Sequence, residues 1–448
     1  MAAPALVFVD NIGGESAGDP YFPEIGNTGY DVQHYDLDLE IDVSGIDHIS
    51  GRASIQLTTT GDVDRFSFDL LGLEATRATI DGVEATLEQT PTKLRLSPTQ
   101  TLTANSSHTI VIDYEGQPIT IDSTTRIGAI GWYDRERTSV ALGEPMGART
   151  WFPVNDHPSD KATYTFRLDV PSPLFGVANG VLIDDVRIDD RQTSTWEMRQ
   201  PMASYLATVT VGEYVVIESD SAGETEVVNA VPPRLEGVFD GDFNLTDEMI
   251  EVFTELFGPY PFDEYGVMVI DSDFGFALET QGRSIFSAGS VDGDGSIERI
   301  VAHELAHQWF GNAVSPATWQ DIWLNEGFAS YAEDLWLEFG QDDDPDLLAT
   351  RLATRAAEAP TPAPGDPGST GLFDRSVYRR GGLTMYALRQ TVGDATFFDI
   401  LRTWGERFGG GVASTADFVA LSEELSGQEL ETFFEDWLGS GPIPDLPN

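Results

Sequence analysis

The chain has 448 residues, enough for two to four domains and a large core. Its 75 acidic against 25 basic residues give a formal net charge of −50, which repels nucleic acid and anionic membrane surfaces. With no cysteine there is no disulfide, thiol nucleophile or Cys-based metal site, and no apolar run reaches the roughly 18 residues of a membrane span.

Only Lys93 and Lys161 are lysines, so arginine carries nearly all the positive charge. That composition suits high ionic strength, where salt screens the self-repulsion, or a GC-rich genome. The run "PALVFV" at 4–9 is too short for a signal-peptide core. The expectation is a soluble monomer, outside the cytoplasm in preference to inside it, with any secretion signal removed before the first residue.

From about 30 to 215 short apolar and polar steps alternate, as in "HYDLDLEIDV", "RFSFDLLGL", "HTIVIDYEG", "ATYTFRLDV" and "SYLATVTVGEY". Such alternation predicts half-buried strands between Gly, Asp and Asn turns, hence an all-β domain over 1–213. Beyond it, "NLTDEMIEVFTELFG" carries apolar residues at helical spacing and a Gly stop, and helices are expected to dominate 214–448. The fold class is therefore α+β and multidomain. "DGDGS" at 292–296 reads as a polar turn in preference to a calcium loop, since the rest of an EF-hand template is absent. "QDDDPD" at 341–346 reads as a solvated loop, "EAPTPAPGDPGSTG" at 358–371 as irregular chain and "GSGPIPDLPN" as a coil tail.

The run "SIERIVAHELAHQWFGN" holds His303-Glu304-Leu305-Ala306-His307. A helix capped by Ser296 and stopped at Gly311 puts His303 and His307 one turn apart on one face, where both imidazoles reach one ion. Glu304 then lies beside the ion, placed to take a proton from water. In a chain with six histidines, chance produces this template on the order of once in a hundred. A catalytic zinc needs a third protein ligand. "DIWLNEGFASYAEDLWLEFG" offers Glu326, nineteen positions beyond His307, on a helix whose buried face is expected to be Phe328, Tyr331, Leu335 and Phe339. Alone, Glu326 reads as an acid favoured by a helix N-terminus; joined to the histidine pair, it reads as the ligand.

These residues, with "GYDVQHYDLDLEID", "ARTWFPVNDHPSDKATYTFRLDVP", "MASYLATVTVGEY" and "FGPYPFDEYG", closely resemble the gluzincin aminopeptidases, the M1 family of aminopeptidase N and leukotriene A4 hydrolase, from about 28 to 445. The resemblance implies a β saddle domain followed by a thermolysin-like catalytic domain. It also implies one Zn2+ per chain and hydrolysis of the N-terminal residue of peptides with a free N-terminus. The family's Gly-x-Met-Glu-Asn motif corresponds to Phe276-Ala277-Leu278-Glu279-Thr280, with Ala277 and Glu279 in the usual form. Ala277, Leu278 and Glu279 are then substrate-binding positions, and Glu144 in "GEPMGAR" is the second carboxylate for the α-ammonium. Tyr378, in "SVYRRGG", corresponds to the tyrosine that donates to the oxyanion, a role worth up to roughly 3–4 kcal/mol.

Asp321 and Asp334 are candidates to hold the metal-bound histidines from behind, against the plainer reading of surface helix acids. Many family members continue into a helical solenoid, so a two-domain short form with a more open cleft is expected. Two other readings fit the same residues. One is a thermolysin-type endopeptidase, suggested by the altered 276–280 motif; the other is a binding protein with a structural zinc.

Overall fold

The computed structural model describes residues 13 to 447 other than 44, 136–137, 223–224, 273 and 359–360. The apolar run at 4–9 and part of the Pro/Gly-rich stretch lie outside the described residues.

Strands dominate up to Gly212. An eight-stranded sheet runs in the order Val181–Ile188, Arg191–Met202, Ala162–Pro171, Tyr30–Asp42, His48–Thr59, Ser107–Gly116, Glu74–Ile80, Val83–Glu84. The period-2 pattern sets its faces: Tyr35, Leu37, Leu39 and Ile41 are fully buried while Asp38 and Glu40 face water. Tyr164 stacks on Tyr35 with centroids 5.0 Å apart and on Phe166 at 5.5 Å, so aromatic pairs fill the layer beneath. A second sheet joins Phe175–Ala178, Val209–Gly212, Thr138–Leu142, Ala129–Asp134 and Thr120–Asp122; a third joins Phe66–Asp69, Lys93–Ser97 and Thr86–Gln89.

The segment "SYLATVTVGEY", expected as one strand, breaks into a 3-10 turn at Ser204–Leu206 and the strand Val209–Gly212. The turn is held by side chains: Ser204 Oγ donates to Asp156 at 2.8 Å, and the Tyr205 hydroxyl donates to the Gly311 carbonyl at 2.8 Å.

The second half contains helices α1 (Glu236–Phe243), α2 (Thr246–Phe257), α3 (Glu298–Ala306), α4 (Trp323–Phe339), α5 (Pro345–Ala357), α6 (Arg375–Val392), α7 (Asp394–Phe408), α8 (Thr415–Ser426) and α9 (Glu431–Leu438). It also holds a sheet that helical periodicity does not predict, Val215–Ala222, Thr225–Val231, Val267–Ile270 and Ser284–Ser287 in that order. Val267–Ile270 and Ser284–Ser287 are buried throughout, so they show no polar alternation to read.

Other details depart from expectation. Ser296 does not cap α3; Ile297 occupies that place, and the Ser296 amide donates to Asp294 instead. The helix proper ends at Ala306, yet the His307 amide still bonds the His303 carbonyl, so the one-turn spacing survives. Phe339 is exposed, beside Phe398 and the Arg389 guanidinium, because α4 outruns the core by a turn; Phe328, Tyr331 and Leu335 are buried as expected. The "DGDGS" turn sits on Asp242, whose carboxylate accepts the amides of Asp292, Gly293 and Gly295. The acidic loop ends in the start of α5, where Asp344 accepts from Asp346 N ahead of Pro345.

Two contacts set the positions of α3, α4 and α6. Lys161, from the first half, donates through Nζ to the carbonyls of Asn312 (2.7 Å), Ala313 (3.0 Å) and Gly411 (3.3 Å), fixing the loop after α3. Helices α4 and α6 meet where Gly327 faces Gly381, and a Cβ on Gly381 would stand 2.9 Å from Gly327 Cα. Neither backbone can yield locally, so Gly381→Ala must push the helices apart, at a cost of roughly 1–3 kcal/mol. Denaturant unfolding is expected to show that loss, and a variant as stable as the parent would contradict the tight crossing.

Candidate active site

Three elements bring the sequence-selected residues together. Helix α3 carries His303, Glu304 and, at its C-terminal cap, His307; the first turn of α4 carries Glu326; the first turns of α6 carry Tyr378. Phe310 stacks on Phe328 at 4.4 Å, which seats α3 against α4. The Tyr205 hydroxyl, donating to Gly311 O and accepting from Asn325 Nδ2 at 3.3 Å, ties the end of α3 to the start of α4.

The resulting geometry is that of a metal site. His303 Nε2 lies 3.4 Å and His307 Nε2 3.6 Å from Glu326 Oε2. One ligand atom from each of the three residues lies within 4.8 Å of the others, and all three residues are buried. Each imidazole is turned by its other nitrogen: His303 Nδ1 bonds Glu333 Oε1 at 3.1 Å, and His307 Nδ1 donates to the Phe310 carbonyl at 3.0 Å. Both Nε2 atoms therefore face Glu326, whose Oε2 is buried with no hydrogen-bond partner among the described residues. Burial would raise the Glu326 carboxyl, but the two imidazoles outweigh it and hold it at about 2. Burial lowers both imidazoles, and the surrounding carboxylates more than reverse that. The site thus favours positive charge, and two imidazoles and a carboxylate fit a divalent ion of zinc type.

Glu333, not Asp321 or Asp334, stands behind His303. Asp334 instead binds Arg355 at 2.8 Å and Arg299 at 3.2 Å, and Asp321 accepts from the amide and hydroxyl of Thr415. A sequence signal for Glu333 exists: it lies seven residues, two turns, beyond Glu326 on the same helix face. Asp321 precedes the helix, and Asp334 is one step too far around it.

The remaining acids converge on the same cavity, of about 660 Å³. Glu144 comes from the first half, on a loop where Gly143 packs directly on the Tyr205 carbonyl and leaves no room for a Cβ. Glu279 is 3 % exposed, with Oε1 3.9 Å from His307 Nδ1; its backbone carbonyl accepts from Asn312 Nδ2 at 2.6 Å. Carboxylate oxygens of Glu144, Glu279 and Glu326 lie within 4.8 Å of one another. Glu144 Oε1 and Glu279 Oε1 are buried without a hydrogen-bond partner among the described residues. Burial, then the neighbouring acids, push the Glu144 carboxyl well above the usual range, and burial raises Glu279 as well. Burial also lifts Glu304 to about 8 against the pull of His303 and His307.

Ala277 and Leu278 line the cavity beside Phe274 and Phe276. Leu278 exchanges both backbone hydrogen bonds with Ile285, at 2.8 and 3.0 Å, which fixes the 276–280 segment to the sheet edge. The Tyr378 ring lies over His303 with centroids 5.9 Å apart and planes at 21°. Burial, then Glu326, raises its phenol well above the ordinary value, so the hydroxyl keeps its proton and remains a donor.

Comparison with known proteins matches both halves of the chain. Residues 242–437 match the Peptidase family M1 domain and residues 31–206 the Peptidase M1 N-terminal domain. Aminopeptidase M1-D of Oryza sativa subsp. japonica is 28% identical over 326 residues, covering 68% of this chain and 37% of the relative. Probable aminopeptidase 2 of Sulfurisphaera tokodaii is 26% identical, covering 92% and 54%. The chain thus spans about a third to a half of the length of these curated relatives. A solved M1 zinc metallopeptidase from Deinococcus radiodurans superposes with a TM-score of 0.90 at 32% identity, covering 97% of this chain and 99% of that one. A structure described as a two domain M1 zinc metallopeptidase mutant bound to L-tryptophan gives 0.89 at the same identity. With both halves matched in order and 97% of the chain superposed at 32% identity, the chain belongs to peptidase family M1.

Proposed function

We propose that the chain is a zinc aminopeptidase that removes the N-terminal residue from peptides. The observation that carries the reading is one cavity holding a three-residue metal set beside two buried carboxylates, each with an oxygen that lacks a hydrogen-bond partner among the described residues. Burying one such group is costly, and burying two together is more so unless a cation joins them. An α-ammonium supplies that cation with three donors, and binding it there fixes how far the peptide enters. The relatives named as aminopeptidases support the same reading.

Zinc held by His303, His307 and Glu326 would supply Lewis acidity and lower the pKa of bound water toward about 7. Glu304, on the same helix between the two histidines, takes the proton of the attacking water and returns it to the leaving amine. Tyr378 donates its hydroxyl to the oxyanion as negative charge develops on the former carbonyl. Glu144 and Glu279 hold the free amino terminus, while Ala277, Leu278 and the neighbouring phenylalanines bound the space for the first side chain. Glu333 keeps the His303 ring oriented by accepting its Nδ1 proton, which makes Nε2 the ligating nitrogen.

Glu304→Gln tests the reading. It is expected to keep one zinc per chain while kcat falls by about 10²–10⁴; retained activity would rule out Glu304 as the base. Glu333→Gln is expected to weaken zinc affinity by about 10–100-fold in competition with a chelator, and an unchanged affinity would contradict its role behind His303.

A further inference from the structure

The same cavity is polarised from end to end. Of the residues that line it, Glu144, Glu279, Glu304 and Glu326 are buried, whereas Arg126 and Arg375 are exposed and mark its mouth, with Arg355 and Arg379 half-buried. Four of the chain's 25 basic residues, Arg126, Arg355, Arg375 and Arg379, fall among the 22 residues that line it.

These arginines are not equivalent. Arg355 is committed to Asp334, whose two carboxylate oxygens lie 2.8 and 3.0 Å from its Nη2. Arg126, from the first half, pairs with Asp374 at 2.6 Å, and Arg379 pairs with the exposed Glu358 at 2.9 Å. Arg375 makes no ion pair among the described residues and is exposed. It opens α6 one turn before Tyr378 and Arg379, so the three side chains share a helix face. A carboxylate arriving at the mouth therefore meets Arg375 unengaged, beside two arginines that each already hold one acid.

We propose that Arg375, flanked by Arg126 and Arg379, is a specificity-determining site for a carboxylate on the departing side of the substrate. The preferred substrates are then short zwitterionic peptides, with the ammonium at the acidic end and a carboxylate at the mouth. This rests on the aminopeptidase reading. The carboxylate can be the peptide's own C-terminus or a downstream Asp or Glu side chain. Guanidinium is suited to either, because its planar fork pairs both carboxylate oxygens.

The test compares KM for Ala-Ala-Ala with its C-terminal amide, and for Ala-Ala-Glu-amide with Ala-Ala-Gln-amide, in the zinc-loaded parent and in Arg375→Gln. In the parent, the free acid or the Glu peptide is expected to show a KM roughly three- to tenfold below its neutral counterpart, shrinking as salt is raised. In Arg375→Gln that ratio is expected to fall toward one. Because the ratio is taken within one protein, loss of folded enzyme does not affect it. Discrimination in the first pair alone assigns the site to the C-terminus, and in the second alone to an acidic side chain. Cleavage of all four peptides with equal KM overturns the carboxylate site and leaves the aminopeptidase reading standing, as does a parent ratio that persists in Arg375→Gln. Failure to cleave any of them overturns the aminopeptidase reading and the site with it.

Discussion

Glu144, Glu279, Glu304 and Glu326 are buried together around two imidazoles, and the rest of the molecule is arranged to make that concentration of desolvated negative charge tolerable. Near a protein surface, two like charges about 4 Å apart repel by roughly 4 kcal/mol at an effective dielectric of 20. Protonation relieves part of this, as the raised carboxyls of Glu144, Glu279 and Glu304 indicate. On the proposed reading cations relieve the rest: a divalent ion on the histidine side, an ammonium on the side of Glu144 and Glu279. Binding and catalysis here are two uses of one electrostatic demand.

The fold meets that demand with rigid connections between elements far apart in sequence. Glu144 arrives on a loop of the β half held against Tyr205, whose hydroxyl also joins α3 to α4. Asn312 and Gln308, at the end of α3, both donate to the Glu279 carbonyl, so the second carboxylate is registered to the helix that carries the histidines. The Gly327 and Gly381 contact lets α6 approach α4 closely enough for Tyr378 to lie over His303. Lys161 anchors the intervening loop through three carbonyls, a use to which a long, flexible stem with a compact ammonium is suited.

How much of this is legible in the sequence depends on whether the signal is local. His303, Glu304 and His307 announce themselves because helical spacing alone sets their geometry, and the alternating strands of the first half are equally explicit. The central sheet of the second half escapes notice because "VMVI" and "SIFS" are buried on both faces and carry no periodicity. Asp321 and Asp334 draw attention away from Glu333, although its seven-residue spacing from Glu326 is there to be counted. Ser296 resembles a helix cap by residue type, but the Asp242 side chain organises that turn. The arginines at the cavity mouth cannot be grouped from sequence, since Arg126 and Arg375 are brought together only by packing between the two halves.

The most direct measurement is metal content together with hydrolysis of one aminoacyl fluorogenic substrate in free and N-acetylated form. The account predicts one zinc per chain and cleavage of the free amine only, because acetylation removes the cation that Glu144 and Glu279 require. Equal cleavage of both forms would contradict it, leaving those two buried carboxylates without the partner on which the reading depends.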